Sequence, residues 1–239
     1  MLTVLARPSE NFGTRRGVSA PDMVVLHYTA MDTAEEALQR LCATEHEVSA
    51  HYLISEAGQV FQLVTDEMRA WHAGAGGWGQ VTDVNSHSIG VELANTGRQP
   101  FAEPQMAALE QLLQALLQRH AIPRERVIGH SDMAPLRKGD PGARFDWARL
   151  ARQDLSVWPG AAGGLPADAV KFHALATKFG YVFPAVEICA DPLAAVLSAF
   201  RLRFSPWEHG ALNQRDMARI ADLAHRFPAR GLGRAPVCG

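Results

Sequence analysis

Val127-Ile128-Gly129-His130-Ser131-Asp132-Met133-Ala134-Pro135-Leu136-Arg137-Lys138-Gly139-Asp140-Pro141-Gly142 carries more information than any other stretch of this chain. Val127 and Ile128 read as the end of a buried strand, and the residues after them are too rich in Pro and Gly to be regular structure. A loop leaving a strand end is where sites are built, because a rigid scaffold holds it while its side chains face a substrate. This one carries an imidazole (His130), a carboxylate (Asp140) and, two residues before the carboxylate, a cation (Lys138). His and Asp can each supply one bond to zinc, and a neighbouring cation can steady a developing oxyanion. The loop by itself does not complete a coordination shell.

Upstream, in Met23-Val24-Val25-Leu26-His27-Tyr28-Thr29-Ala30, four apolar residues in a row, bounded by Pro21-Asp22 and by Thr29-Ala30-Met31-Asp32, read as a buried strand with His27 at its carboxyl end. A lone histidine there is most simply a hydrogen-bonded structural residue. Two late-strand histidines together with the Lys-x-Asp loop favour a site. In Ser86-His87-Ser88-Ile89-Gly90-Val91-Glu92-Leu93-Ala94-Asn95, the residues Ile89, Val91 and Leu93 alternate with Ser88, Gly90, Glu92 and Ala94. That is the period of a strand with one buried face. Glu92 points away from the apolar face, either into solvent or, if it shares a cleft with the histidines, as a general base.

With 239 residues, 47% of them hydrophobic, the chain has room for one sizeable domain and a small one. A formal charge of −2 gives no reason to expect nucleic acid or an anionic membrane as partner. No apolar run reaches the length of a transmembrane helix. The amino-terminal residues lack a basic region followed by a long apolar one, which reads as a cytoplasmic protein, with the cell envelope as the alternative. Cys42, Cys189 and Cys238 fit neither a disulfide framework nor a metal knuckle.

Strands are expected at 23–26, 51–54, 59–64, 89–93 and 126–129. Helices are expected from Thr33 to Thr44, with Thr33 as cap, and from Glu103 to His120, where Met106, Leu109, Leu112, Leu113 and Leu116 form one stripe and Pro123 closes it. Strands alternating with helices indicate an α/β fold with a mixed central sheet flanked by helices. The turn-rich stretch from Trp158 to Pro166 marks a boundary, giving a domain over 1–158 and a small three-helix domain over 166–230, with helices near 167–179, 189–203 and 213–227. Asn213 is the expected cap of the last.

Five motifs in order, Leu-His-Tyr-Thr-Ala (26–30), Ser-Ala-His-Tyr-Leu-Ile (49–54), Ala-Trp-His-Ala-Gly (70–74), Ser-Ile-Gly-Val-Glu-Leu (88–93) and Gly-His-Ser-Asp-x-Ala-Pro-x-Arg-Lys-x-Asp-Pro-Gly (129–142), resemble the zinc N-acetylmuramoyl-L-alanine amidases. That group shares its fold with phage lysozyme-type amidases and peptidoglycan recognition proteins. The resemblance spans roughly residues 5–155. The tail, with Phe172, Leu175, Phe179-Gly180-Tyr181 and Leu197 to Phe204, resembles the helical peptidoglycan-binding domain often appended to such enzymes.

The resemblance implies zinc ligands at His27, His130 and Asp140, a general base or water-orienting carboxylate at Glu92, and a cation near the reacting carbonyl at Lys138. Two imidazoles and a carboxylate would leave the fourth tetrahedral position open, the mark of a catalytic zinc. A water there would have its pKa lowered from 15.7 toward about 7. Glu92 would take its proton as it attacks the amide between the muramic lactyl group and L-alanine. The implied partners are peptidoglycan fragments or anhydro-muropeptides. Trp71 and Trp78 bracket a Gly-rich loop and are expected to wall the substrate. His72, Asn85, His87 and Arg137 are further candidates for substrate contact, and His51 for a structural partner.

Two patterns are set aside. His46-Glu-Val-Ser-Ala-His51 has its histidines five apart, about 140° around a helix instead of about 40°, so they cannot share a metal from one face. Gly-His-Ser131-Asp-Met has Met133 where a nucleophile elbow needs glycine, which weakens a serine hydrolase. The rival of another class is a muropeptide-binding protein without turnover. The intact His27, His130, Asp140, Glu92 and Lys138 set speaks against it.

Overall fold

The structure, a computed structural model, describes residues 2–160 and 163–229. Cys238, Met1, Arg230 and the Ala161-Ala162 part of the expected linker lie outside the described residues. Six strands, β1 (Val4–Ala6), β3 (Met23–Tyr28), β4 (Tyr52–Ile54), β5 (Val60–Gln62), β7 (Ser88–Leu93) and β8 (Val127–Gly129), form one sheet in the order β1-β5-β4-β7-β3-β8. Only the β4–β5 pair is antiparallel, so the sheet is mixed as expected. A separate ribbon pairs β2 (Phe12–Thr14) with β6 (Met68–Ala70).

The register of the two central strands places His27 directly beside Glu92. Alternation then sorts the side chains. Val24, Leu26, Ile89, Val91 and Leu93 face one side, where α3 (Glu103–His120) lays its stripe of Met106, Leu109, Leu112, Leu113 and Leu116. Each fully buried aliphatic side chain of this kind contributes about 1.5–3 kcal/mol. Trp147 and Leu150 of α5 (Trp147–Arg152) complete that face. Helix α3 starts with Pro104 in its first turn and stops at Ala121, whose φ of 51° is left-handed.

On the opposite face, α1 (Ala34–Cys42) covers Leu53 with Ala37, Leu38 and Leu41, and Thr33 caps it by accepting a bond from Glu36 N at 3.2 Å. Farther along that face, Met23, Val25 and Ile128 pack into one core with α6 (Ala169–Phe179), α7 (Pro192–Phe204) and α8 (Gln214–Arg226). Asn213 caps α8 in a capping box with Asp216. The helical tail therefore shares a continuous core with the sheet. Between α1 and the tail the face stays uncovered, and His27 and Glu92 open there. Short helices α2 (Val84–His87) and α4 (His130–Met133) border it. No helix among the described residues is long and apolar enough to cross a membrane.

Candidate active site

A cavity of about 430 Å³ opens over the carboxyl ends of β3 and β7, lined among others by His27, Glu92, His130, Lys138 and Asp140. His27 arrives from the end of β3, Glu92 from its β7 neighbour, and His130 from the first position of α4, directly after β8. Asp140 returns in the loop, whose path is fixed where Ser131 N donates to Asp140 O at 2.9 Å. The Nδ1 atoms of His27 and His130 lie 2.9 Å apart, and each is 3.0 Å from Asp140 Oδ2. These three residues form a buried group whose ligand atoms all lie within 4.8 Å of one another.

The surrounding hydrogen bonds determine which ring nitrogens carry protons. His130 Nε2 faces the carbonyl of Ala73 at 2.8 Å, so it donates, and in the neutral ring that a metal ligand requires Nδ1 is a lone pair. Ser88 Oγ gives its proton to Val84 O at 2.6 Å, and therefore accepts from His72 Nε2 at 3.1 Å. His72 Nδ1 then accepts from His27 Nε2 at 3.0 Å, which leaves His27 Nδ1 a lone pair as well. Two imidazole lone pairs and a carboxylate oxygen thus converge with no donor between them. Such a set repels itself unless a cation sits at its centre, and two nitrogens with one oxygen suit zinc. Tetrahedral zinc with bonds of about 2.0–2.1 Å needs its ligand atoms about 3.3 Å apart, a few tenths of an ångström beyond the spacing seen.

Electrostatics agree with a neutral His27. Burial, and then the neighbouring His130, hold His27 down to about 4, so its contact with Asp140 is not an ion pair at neutral pH. Glu92 moves the other way. Burial first, and the Asp140 charge second, push it up to about 8 against the pull of Lys138. Its side chain reaches the cavity, yet Oε2 is sealed and has no hydrogen-bond partner among the described residues. A buried carboxyl oxygen without a partner is costly to ionise, in line with the upward shift.

The other sequence candidates separate. Trp71 lines the cavity, as do His72 and Arg137. His72 is fully engaged by His27 and Ser88, while Arg137 donates to the carbonyls of Ala73 and Ala75 and so also clamps the Gly-rich loop. Asn85 sits beneath that loop, its Oδ1 accepting from His72 N at 3.1 Å and Ala73 N at 2.8 Å, and it is not part of the cavity wall. His87 turns to Asp22 at 3.3 Å, away from the cavity. Trp78, expected opposite Trp71, is buried against Phe179 and Tyr181 because the helical tail claims it. His51 accepts from Gly90 N and donates to Met68 O, a structural tie. Ser131 is buried and absent from the cavity lining. His46 lies on an exposed turn, separate from the buried His51.

The cavity also draws on residues that sequence reasoning passed over. Met31, Leu41 and Val48 give it an apolar arm, and Arg40 of α1 sets a cation at that end. Leu41 and Arg40 lie on α1, which the sequence marks only as a helix, and Met31 and Val48 flank it in loops with no motif to single them out.

The chain is similar to known proteins. The sequence profile of the family described as N-acetylmuramoyl-L-alanine amidase matches residues 17–143. The chain is 33% identical over 234 residues to N-acetylmuramoyl-L-alanine amidase AmiD of Escherichia coli (strain K12), across 85% of this chain and 83% of AmiD. It is 40% identical over 103 residues to 1,6-anhydro-N-acetylmuramyl-L-alanine amidase AmpD of Haemophilus influenzae, across 43% of this chain and 56% of AmpD. The crystal structure of AmpDh3 from Pseudomonas aeruginosa superposes with a TM-score of 0.80 at 31% identity, covering 96% of this chain and 100% of AmpDh3. AmiD from E. coli, in complex with anhydro-N-acetylmuramic acid-L-Ala-D-γ-Glu-L-Lys, superposes at 0.78 with 31% identity, covering 89% of this chain and 93% of AmiD. This chain belongs to the N-acetylmuramoyl-L-alanine amidase family.

Proposed function

We propose that this protein is a zinc-dependent hydrolase of the amide between the lactyl group of N-acetylmuramic, or 1,6-anhydro-N-acetylmuramic, acid and the L-alanine of the stem peptide, acting in muropeptide recycling. The observation that carries the reading is the convergence of His27 Nδ1, His130 Nδ1 and Asp140 Oδ2, with no donor among them, beside the unpaired Glu92 Oε2. The solved complexes of AmiD and of AmpDh3 with anhydromuramic peptides support the substrate class.

His27, His130 and Asp140 would hold the zinc. Bound there, it supplies a Lewis acid and a water acidified toward neutrality. Glu92, adjacent to His27 in the sheet and lining the cavity, would be ionised by a cation held at the neighbouring ligands, and in that form takes the proton of the attacking water and returns it to the leaving amine of L-alanine. Lys138 lines the cavity next to Asp140 and balances the charge that grows on the carbonyl oxygen. Trp71 and the apolar arm shape the channel for the peptide. Division of the chain into an amidase unit, 1–158, and a peptidoglycan-binding-like unit, 166–230, belongs to the same proposal.

The test is incubation of metal-loaded protein with anhydro-muropeptides and with intact sacculi, with and without a chelator, and identification of products by mass spectrometry. Chelator-sensitive release of free stem peptide is expected. Faster turnover of the small fragments agrees with recycling and the cytoplasmic setting, and faster turnover of sacculi points to the envelope. Binding with no release from either substrate would leave a recognition protein.

A further inference from the structure

The tail is tied to the metal-site loop by charge as well as by packing. Asp132, two residues beyond His130, is completely buried, and its two oxygens accept three bonds. Gly129 N donates to Oδ2 at 2.8 Å, capping the turn on which His130 sits. Arg203 Nη1 of α7 donates to the same oxygen at 2.9 Å, and the hydroxyl of Tyr181, just after α6, donates to Oδ1 at 2.6 Å. Two of the three donors therefore come from the helical tail.

Arg203 is itself only 1% exposed. Its guanidinium lies over Trp147 at 4.5 Å and Phe204 at 4.8 Å, and its Nη2 donates to Val127 O at 2.8 Å, where β8 begins. An arginine is stripped of water at this cost only where its partner needs it, and the partner is a carboxylate that no other cation reaches among the described residues. A second arm of the tail reaches the same imidazole. Tyr181 and Phe179 enclose Trp78, which Gly180 admits because a Cβ there would stand 2.4 Å from the indole. Trp78 adjoins Gly77, whose N–H donates to Met133 O at 2.9 Å, and this loop carries the Ala73 carbonyl that fixes His130 Nε2.

We infer that Arg203 and Tyr181 are positioning residues for His130, acting through Asp132, so that the tail is a built-in part of the metal site. The inference rests on the metal site proposed above. A tail whose only task is to bind cell wall needs no buried ion pair under a metal ligand. It also explains why Asp132 can be held at full burial: its charge is matched from α7, and the turn that presents His130 is rigid only while that match persists.

The test uses the full chain and reads metal binding, not turnover. Zinc affinity is measured by competition with a fluorescent chelator, and the absorption of the cobalt-loaded protein reports ligand geometry, both well below the unfolding transition and with circular dichroism as a check of fold. Arg203→Met is expected to weaken zinc binding about tenfold and to alter the cobalt spectrum, with partial return in Arg203→Lys. Tyr181→Phe keeps the ring and loses only the hydroxyl, and is expected to weaken zinc binding severalfold. Folded variants with wild-type zinc affinity and cobalt spectrum, even at lower thermal stability, would overturn the inference. Should Arg203→Met fail to fold, Tyr181→Phe decides: an unchanged affinity there overturns it. A wild-type protein that binds no zinc sinks the metal reading and the inference together, whereas zinc binding that is indifferent to both variants sinks the inference alone.

Discussion

The Nε2 of His27 lies 3.0 Å from the Nδ1 of His72, and the two rings meet edge-on at 80°. Because Ser88 and Val84 fix the proton on His72 Nε2, the relay ends by presenting a lone pair of His27 to Asp140 and His130. Outer partners of metal-bound histidines set tautomer and ring orientation, and their loss costs about 10–100-fold in metal affinity. His72→Ala is therefore expected to weaken zinc binding by that order in a chelator competition. Gly90→Ala should act in the same direction, since a Cβ at Gly90 would stand 2.4 Å from His72 Cγ. Wild-type affinity in both variants would show that the relay does not govern His27.

Glu92 yields a prediction with opposite signs for stability and activity. Its carboxyl is raised from 4.5 to about 8, so the fold favours the neutral form. Below about pH 4.5 the group is neutral in both folded and unfolded chains and its contribution is fully present. Between pH 4.5 and 8 the unfolded chain releases the proton while the folded one retains it, and stability is lost as pH rises. Glu92→Gln removes that loss. Metal-free Glu92→Gln protein should match the wild type near pH 4 and exceed it above pH 8, by an amount on the order of a few kcal/mol. The metal-loaded variant should lose roughly 10²–10⁴ in kcat. Denaturant melts across pH and single-turnover assays check the two halves.

Much of this site was legible in the sequence, for reasons that are local. Alternation placed Glu92 opposite Ile89 and Val91, and the Pro- and Gly-rich run after Ile128 marked the ligand loop. Register was not legible, because the pairing of His27 with Glu92 is set by strands more than sixty residues apart in the chain. Strands β1, β2 and β6 were not expected because they are largely exposed and carry no buried run or alternation, unlike the equally short but fully buried β4 and β8. Trp78 and Arg203 were misplaced or passed over for a shared reason. Each looks like a surface residue in its own segment, and only a partner from the other segment, Tyr181 or Asp132, draws it inside.

Lys138 is exposed on the loop, faces the cavity and is not one of the three proposed ligands. The role proposed for its charge is to act on an oxyanion that exists only in the transition state. Lys138→Met should then lower kcat by roughly 10²–10³, with zinc affinity and substrate KM close to wild type. A variant that instead raises KM and leaves kcat unchanged would make Lys138 a ground-state binding residue.

Arg40 and Arg137 divide the remaining positive charge of the cavity in different ways. Arg137 is committed to the carbonyls of Ala73 and Ala75, whereas the Arg40 guanidinium makes no hydrogen bond or ion pair among the described residues. An exposed arginine without a protein partner, at the mouth of an apolar arm, is suited to a carboxylate that arrives with substrate. The stem peptide bound to AmiD contains a γ-linked D-Glu, whose α-carboxylate is free. Arg40→Ala should raise KM for such a peptide about tenfold with kcat nearly unchanged, the pattern of lost uniform binding. It should have little effect on a substrate truncated to L-alanine amide. Arg137→Ala releases the loop that orients His130 and should depress kcat on both substrates. Equal KM effects of Arg40→Ala on the full and truncated substrates would place the carboxylate elsewhere in the cavity.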